Sequence, residues 1–417
     1  MKILLVHQNF PAQFKHIAPA LLRRGHEVHV LTLKRSNIPQ SNAGIQFHTY
    51  ELKRGTTDGI HPWVGDFESK VIRGHAALEC AIALRSRGLV PDVIYAHPGW
   101  GESLFLKEVW PKSKLVVYAE FYYQNHGADI GFDQEFSVSD EISASKLKIK
   151  NLSSVMHFGI ADAAISPTHW QASTYPVEFQ KKIFVVHDGV KTDILKRNPS
   201  VSINLRDHFN SKISLTQDHQ ILTFVNRNLE PYRGYHILMR MLPRLLKECP
   251  RLRVLIVGGD KVSYGARPNP DRYSQASWKD VFIDEIRPQL SDDQWLRVHF
   301  VGNLEYEAFL AALSISSVHL YLTYPFVLSW SLLEAMSLSC AVVASDTAPV
   351  REVIKHKENG LLVDFFDVTQ IISAVATLLN DQGLRVTLGR RAREDAVRNY
   401  DLDTVCLPAQ IKFFENL

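Results

Sequence analysis

Cysteine is scarce: Cys80, Cys249, Cys340 and Cys406 are the only four in 417 residues. Their wide scatter excludes a metal knuckle and a CxxC redox pair, and it fits a reducing cytoplasm. A surplus of one charge is missing too. Forty-seven Lys plus Arg against 44 Asp plus Glu leave +3, which excludes a general nucleic-acid or polyanion binder and requires any positive field to be local. Long apolar runs are also absent. The opening MKILLVHQNF offers Ile3 to Val6 and is then broken by His7, too short for a secretory signal. The most apolar stretch, Val318 to Val343, holds Pro325, Ser329, Ser331 and Glu334, and it reads as strand, loop, helix and strand rather than a membrane span. A soluble cytoplasmic protein is expected, with peripheral contact at the inner face of a membrane left open.

What is present is the composition of a folded protein, 46% hydrophobic and 22% charged. The length exceeds one ordinary core and implies two domains. Ile3 to Val6, an amphipathic stretch Phe14 to Arg24 capped at Gly25, and Val28 to Leu33 form a strand, helix, strand unit, hence a parallel sheet. A helix around His75 to Arg87 and strands at Val93 to Ala96, Leu115 to Ala119, Ala163 to Ser166 and Ile183 to Val186 continue it. Asn198 to Gln220 is polar and reads as the connection. The rhythm then restarts with strands at Ile221 to Val225, Val254 to Val257, Arg297 to Phe300, Val318 to Leu322 and Ala341 to Ala344. Helices are expected at Gly234 to Glu248, Glu305 to Ser314, Ser331 to Leu338 and beyond Gln370. The fold class is therefore α/β, two Rossmann-like doubly wound domains at 1–198 and 199–395, with 396–417 a helix that packs back on the first. The loop Tyr264 to Ser277 reads equally as surface decoration or as a lid.

Arg227 and Arg233 bracket the turn after the first strand of the second half, beside a helix start. Two guanidiniums there make a pyrophosphate site, although a lone exposed Arg is more commonly just solvated. Ser329 or Ser331 caps a later helix, so the amides of Ser329, Trp330, Ser331 and Leu332 form a second candidate phosphate cradle. Glu334, a turn inside, is placed for ribose hydroxyls or simply complements the helix dipole. In the first half, His97 ends a strand and is followed by Pro98, Gly99, Trp100 and Gly101, the place where open sheets bind ligands. Tyr122, Tyr123 and His126 are acceptor-pocket candidates or packing residues. Lys146, Lys148 and Lys150 read first as a solvated helix face.

The segments FVNRNLEPYRGYHILMRMLPRLLKECPRLRVLIVGGD and LLEAMSLSCAVVASDTAPVREVIKHKENGLLVDFFD, with weaker support from HDGVKTD and PDVIYAHPGWG, resemble the retaining GT-B glycosyltransferases of family four. The resemblance implies two domains facing across a cleft and a metal-independent, hexosyltransferase-type enzyme. It would use a UDP- or GDP-sugar and no further cofactor, with a glycan, a lipid-linked sugar or a small molecule as acceptor. By position it assigns Arg227 and Arg233 to the donor diphosphate, Glu334 to the ribose, His97 to the reacting sugar, and Gly302 and Asn303 to the base. Two departures stand out. Phe326 occupies the place of the first acid of E-x7-E, and the N-terminal loop His7 to Gln13 lacks the usual glycine pair, leaving Asn9 and Gln13 to face phosphate or acceptor. Two rivals stay open: a sugar-nucleotide epimerase or hydrolase, and, motivated by Phe326, a catalytically silent carbohydrate-binding or scaffold protein.

Overall fold

A computed structural model describes residues 1–33, 44–137, 140–206 and 210–417. The chain forms two compact units. The first comprises Met1–Ile130, Val138–Gly189 and Leu402–Leu417, the second Gly131–Ser137 and Val190–Asp401.

The first unit is built on seven parallel strands: β1 (Lys2–Val6), β2 (Glu27–Leu33), β3 (Gln46–Tyr50), β4 (Val93–Ala96), β5 (Lys114–Tyr118), β6 (Ala163–Ser166) and β7 (Ile183–Val185). Their order is β3-β2-β1-β4-β5-β6-β7. β1 from Ile3 to Val6 and all of β4 are apolar and buried because both faces of a parallel sheet are covered. The expected helix at Phe14 to Arg24 is instead a 3-10 turn, Ala12–Lys15, followed by a helix at Ile17–Arg23. The helix expected around His75 to Arg87 begins ten residues earlier, as Gly65–Ser86. β3 was not foreseen: it is a half-exposed edge strand whose polar residues hide the apolar run.

The second unit contains an antiparallel hairpin, β8 (Ile203–Arg206) and β9 (Lys212–Leu215), within the segment read as a connection. Its sheet comprises β10 (Gln220–Asn228), β11 (Leu252–Gly259), β12 (Val298–Gly302), β13 (Val318–Tyr321), β14 (Val342–Ser345) and β15 (Leu361–Val363). The order is β12-β11-β10-β13-β14-β15. Helix Tyr235–Glu248 buries Tyr235, Leu238, Leu242 and Leu245 on one face of this sheet. Leu332 and Met336 of helix Trp330–Ser337 cover the other. Each such leucine contributes about 1.5–3 kcal/mol by leaving water. Residues Val190 to Asn198, placed by sequence with the first half, cluster with this unit: Val190 and Leu195 are core residues, and Arg197 Nε donates to the Ser314 carbonyl at 2.8 Å. Gly131–Ser137 belongs here as well, with Phe136 against His236 and Trp278, and Glu135 paired with Arg240 at 2.7 Å.

In both sheets the order reverses direction beside the first strand, between β1 and β4 and between β10 and β13. A crevice opens at such a switch point, beyond the carboxyl ends of the strands.

Burial pushes the imidazoles of His157, His187 and His319 down to about 4. The unfolded chain then binds more protons than the native one between pH 4 and 6.5, so stability is full above 6.5 and drains as pH falls through that window. At pH 5 each histidine is expected to cost on the order of 1–2 kcal/mol. Thermal melts at pH 7 and 5 check this; an unchanged Tm contradicts it.

Candidate functional site

The carboxyl end of β10 carries Asn226, Arg227 and Asn228, and the pairing with β11 slips between Val225 and Asn228. Gly259 faces this slip because a Cβ there would meet Asn228 Oδ1 at 2.8 Å and Asn303 Nδ2 at 2.9 Å. The result is a cavity of about 300 Å³ whose walls include Arg227, Arg233, Asn303, Tyr264, Ser329 and Ser331. Five of the residues expected at the donor thus converge on one space.

Arg227 is exposed at the rim and makes no hydrogen bond or ion pair among the described residues. Arg233 is buried at 6% exposure. It ends the 3-10 turn Pro231–Arg233, which Gly234 closes at φ 71°. Its Nη1 donates to Thr323 Oγ1 at 2.8 Å and to the Val327 carbonyl at 3.2 Å, both uncharged, and its guanidinium lies 5.2 Å from the Tyr264 ring centre. Two neutral acceptors orient the group, and Glu230 on the same wall offsets part of its charge.

Glu230, Tyr264 and Asn228 belong to the same space and were not foreseen. Glu230 is buried, and its carboxylate accepts the N–H groups of Ser263 (3.1 Å) and Tyr264 (3.3 Å). Burial pushes its carboxyl up, while those amides and Arg233 pull back. Asn228 Nδ2 donates to Ser263 Oγ at 2.7 Å. Together they pin the start of the loop after β11 so that Tyr264 forms a wall. No local signal in the sequence announces a carboxylate that reaches 33 residues ahead.

Ser329 caps helix Trp330–Ser337: its Oγ accepts from the Ser331 amide at 3.4 Å, and its own N–H donates to Tyr321 Oη at 3.0 Å. Ser329 and Ser331 face the cavity; Trp330, 42% exposed, is not on its wall. Leu332 departs from expectation. Its side chain is fully buried in the core and its N–H is used by the Ser329 carbonyl at 3.2 Å, so it offers the cavity nothing. Glu334 lies off the cavity wall, its Oε1 accepting from Tyr306 Oη at 2.8 Å. Gly302, at φ 66°, turns the chain after β12 so that Asn303 faces inward. Phe326, 4% exposed, stands edge-on to Tyr232 (5.6 Å) and tilted on Tyr264 (4.9 Å). An aromatic wall therefore stands where the resemblance expects an acid.

In the first unit His97 ends β4 with 3% exposure. Its Nδ1 accepts the Gly99 N–H at 3.1 Å, so the neutral ring carries its proton on Nε2. A Cβ at Gly99 would lie 2.9 Å from His97 Cε1, which explains the glycine. Nε2 makes no hydrogen bond among the described residues, and Glu120 Oε2 stands 3.6 Å away. His7 is fully buried beside His97 (5.3 Å) and Trp100 (4.7 Å). It accepts the Asn9 amide on Nδ1 at 2.9 Å and donates through Nε2 to Gln13 at 3.0 Å. Asn9, Gln13, His97, Gly99 and Trp100 are thus gathered, and His7 and Glu120 join them. Tyr122 packs on Tyr175 (5.6 Å), and Tyr123 lies beside Asn151 and under the Lys150 ammonium (3.6 Å). Lys150 is therefore engaged with an aromatic face rather than simply solvated. His126 is exposed, beside Asn125.

Residues 24–195 match the model for the glycosyl transferase family 4 group, and residues 206–395 match glycosyl transferases group 1. This chain belongs to the GT-B glycosyltransferases. Among curated relatives, this GT-B chain is 28% identical over 183 residues to the D-inositol 3-phosphate glycosyltransferase of Corynebacterium efficiens, a match over 43% of this chain and 39% of that protein. It is 28% identical over 194 residues to the phosphatidyl-myo-inositol mannosyltransferase of Mycolicibacterium smegmatis, over 45% of this chain and 43% of the relative. The alignments thus span less than half the length of these relatives. Among solved structures, sucrose-phosphate synthase of Thermosynechococcus elongatus superposes with TM-score 0.71 at 16% identity, covering 100% of this chain and 99% of that one. Anabaena HepE in complex with UDP and glucose gives 0.66 at 15%, covering 100% of both. No described helix of this GT-B chain is long and apolar enough to cross a membrane.

Proposed function

We propose that this GT-B chain transfers a sugar from a UDP- or GDP-sugar to an acceptor hydroxyl, with retention at the anomeric carbon and without a divalent metal. The observation that carries the reading is the convergence of Arg227, Arg233 and the Ser329-capped helix on one cavity at the switch point of the second sheet. Two guanidiniums and a helix end fit a diphosphate, and they gain strength as charge develops on the departing group. The Anabaena HepE structure, which is in complex with UDP and glucose, supports the class of donor. In the step, the bond from anomeric carbon to diphosphate oxygen breaks, the acceptor oxygen bonds to that carbon on the same face, and the acceptor proton passes to the leaving diphosphate. Asn303 would serve the base and Glu334 the ribose; the acceptor is a glycan, a lipid-linked sugar or a small molecule.

A thermal-shift series with UDP, GDP and their sugars tests the reading, since a ligand at 100 times its Kd adds about 2.7 kcal/mol to the native state. No shift with any nucleoside diphosphate would sink it. For His97, a buried Nε2–H left without a hydrogen bond costs about 1–3 kcal/mol unless a ligand accepts it. We therefore place this donor at the reacting sugar. His97→Ala is expected to lower kcat about 100-fold and leave the affinity for UDP unchanged. Equal losses of both would remove His97 from the chemistry.

A further inference from the structure

A second cavity, of about 400 Å³, lies at the opposite ends of the strands in the second unit. Ser316 and Ser317 precede β13 directly, Ser339 and Ala341 precede β14, and Gln217 precedes β10; all line it. The remaining wall carries three cations, Arg197, Arg385 and Arg390, beside the uncharged Gln382 and Val386, with no acidic residue among the described lining. Nothing in the proposed transfer uses this space.

The arginines are built in rather than scattered. Arg197 is half-buried and tied through Nε to the Ser314 carbonyl at 2.8 Å, through Nη1 to the Ser339 carbonyl at 3.5 Å, and through Nη2 to the Ser316 carbonyl. Ser339 adopts φ 57° to present its carbonyl, and Gly389 leaves the room: a Cβ there would come within 2.3 Å of that oxygen. Arg385 donates Nη1 to the carbonyls of Leu378 and Leu379, both at 2.7 Å, which leaves Nε and Nη2 for another acceptor. Among the described residues every hydrogen-bond partner of these two groups is a neutral carbonyl, so no ion pair holds either guanidinium. The cost is visible: burial and the charge of Arg197 both lower the proton affinity of Arg385, with burial the larger. Arg390 is exposed at the mouth and pairs with Glu394 four residues on, an exchangeable surface contact. Asp381, whose carboxylate accepts the Leu384 amide at 2.8 Å, acts on Arg385 in the opposite sense to burial and offsets part of that cost.

We infer that this cavity is an anion site for a phosphate group, carried as the free ion or as a small phosphomonoester, and separate from the donor cavity. Two preorganised guanidiniums and a third at the entrance suit the paired oxygens of a phosphate, and the volume accommodates a small organic group beside it. The site lies at the opposite ends of the strands from Arg227, so its occupancy and that of the donor cavity are independently measurable.

Calorimetric titration of the full chain with inorganic phosphate, and separately with glucose 6-phosphate, tests this. Saturable binding below about 10 mM is expected, weakened at least about tenfold by Arg390→Glu and by Arg385→Gln. Arg227→Ala should leave it unchanged. Equal affinity for the two probes identifies the free ion as sufficient, and tighter binding of the ester identifies a phosphomonoester. Absence of saturation, or binding that Arg227→Ala abolishes while Arg390→Glu leaves it intact, overturns the proposal.

Discussion

Replacing Arg227 with Ala is expected to slow sugar transfer by about 10²–10³-fold while Tm stays within about 2 °C. The side chain is exposed at the rim of the donor cavity and bonds to nothing else among the described residues, so its removal breaks no native contact. What disappears is one of two cations facing the diphosphate. Binding of UDP should weaken by about 1.5–3 kcal/mol, whereas uridine, which lacks the phosphates, should bind as before. Calorimetry with the two ligands makes the comparison. A parallel loss for uridine would mean that Arg227 meets the nucleoside, and unchanged UDP affinity would remove it from the site.

Gly234→Ala is expected to cost about 2–5 kcal/mol and lower Tm by about 5–15 °C. Two separate penalties add. The backbone is left-handed, at φ 71°, and a Cβ would come within 2.4 Å of Leu322 Cβ, a fully buried residue just after β13. The glycine also closes the turn that ends in Arg233 and opens helix Tyr235–Glu248. Relief of the clash has to move that turn, so the Arg233 contacts to Thr323 and Val327 loosen and UDP affinity falls together with Tm. A melting curve within 2 °C of the parent would show that Leu322 yields freely.

The central strands were legible because burial on both faces forces unbroken apolar runs such as Ile3 to Val6 and Val254 to Val257. Edge elements divided: Ile183–Val185 and Val298–Gly302 were legible, others were not. Gln46–Tyr50 and the hairpin strands Ile203–Arg206 and Lys212–Leu215 are half-exposed, and their polar residues read as loop. The same division holds at the donor cavity. Arg227 and Arg233 were readable because strand ends and glycine turns are written locally, while Leu332 was misplaced because only the helix phase decides whether a residue faces cavity or core. Glu230 and His7 escaped notice for a different reason. Their partners, the amides of Ser263 and Tyr264 and the ring of His97, are distant in sequence and meet them only after the sheets assemble.

On the proposed reading of the cavity, Glu230 also tempers how firmly a spent nucleotide would be held. The donor cavity brings two guanidiniums and one carboxylate to its wall, a formal balance of one positive charge when Glu230 is ionised. A nucleoside diphosphate bound there as proposed would meet a weaker attraction than the arginines alone would exert, which favours its departure after each turnover.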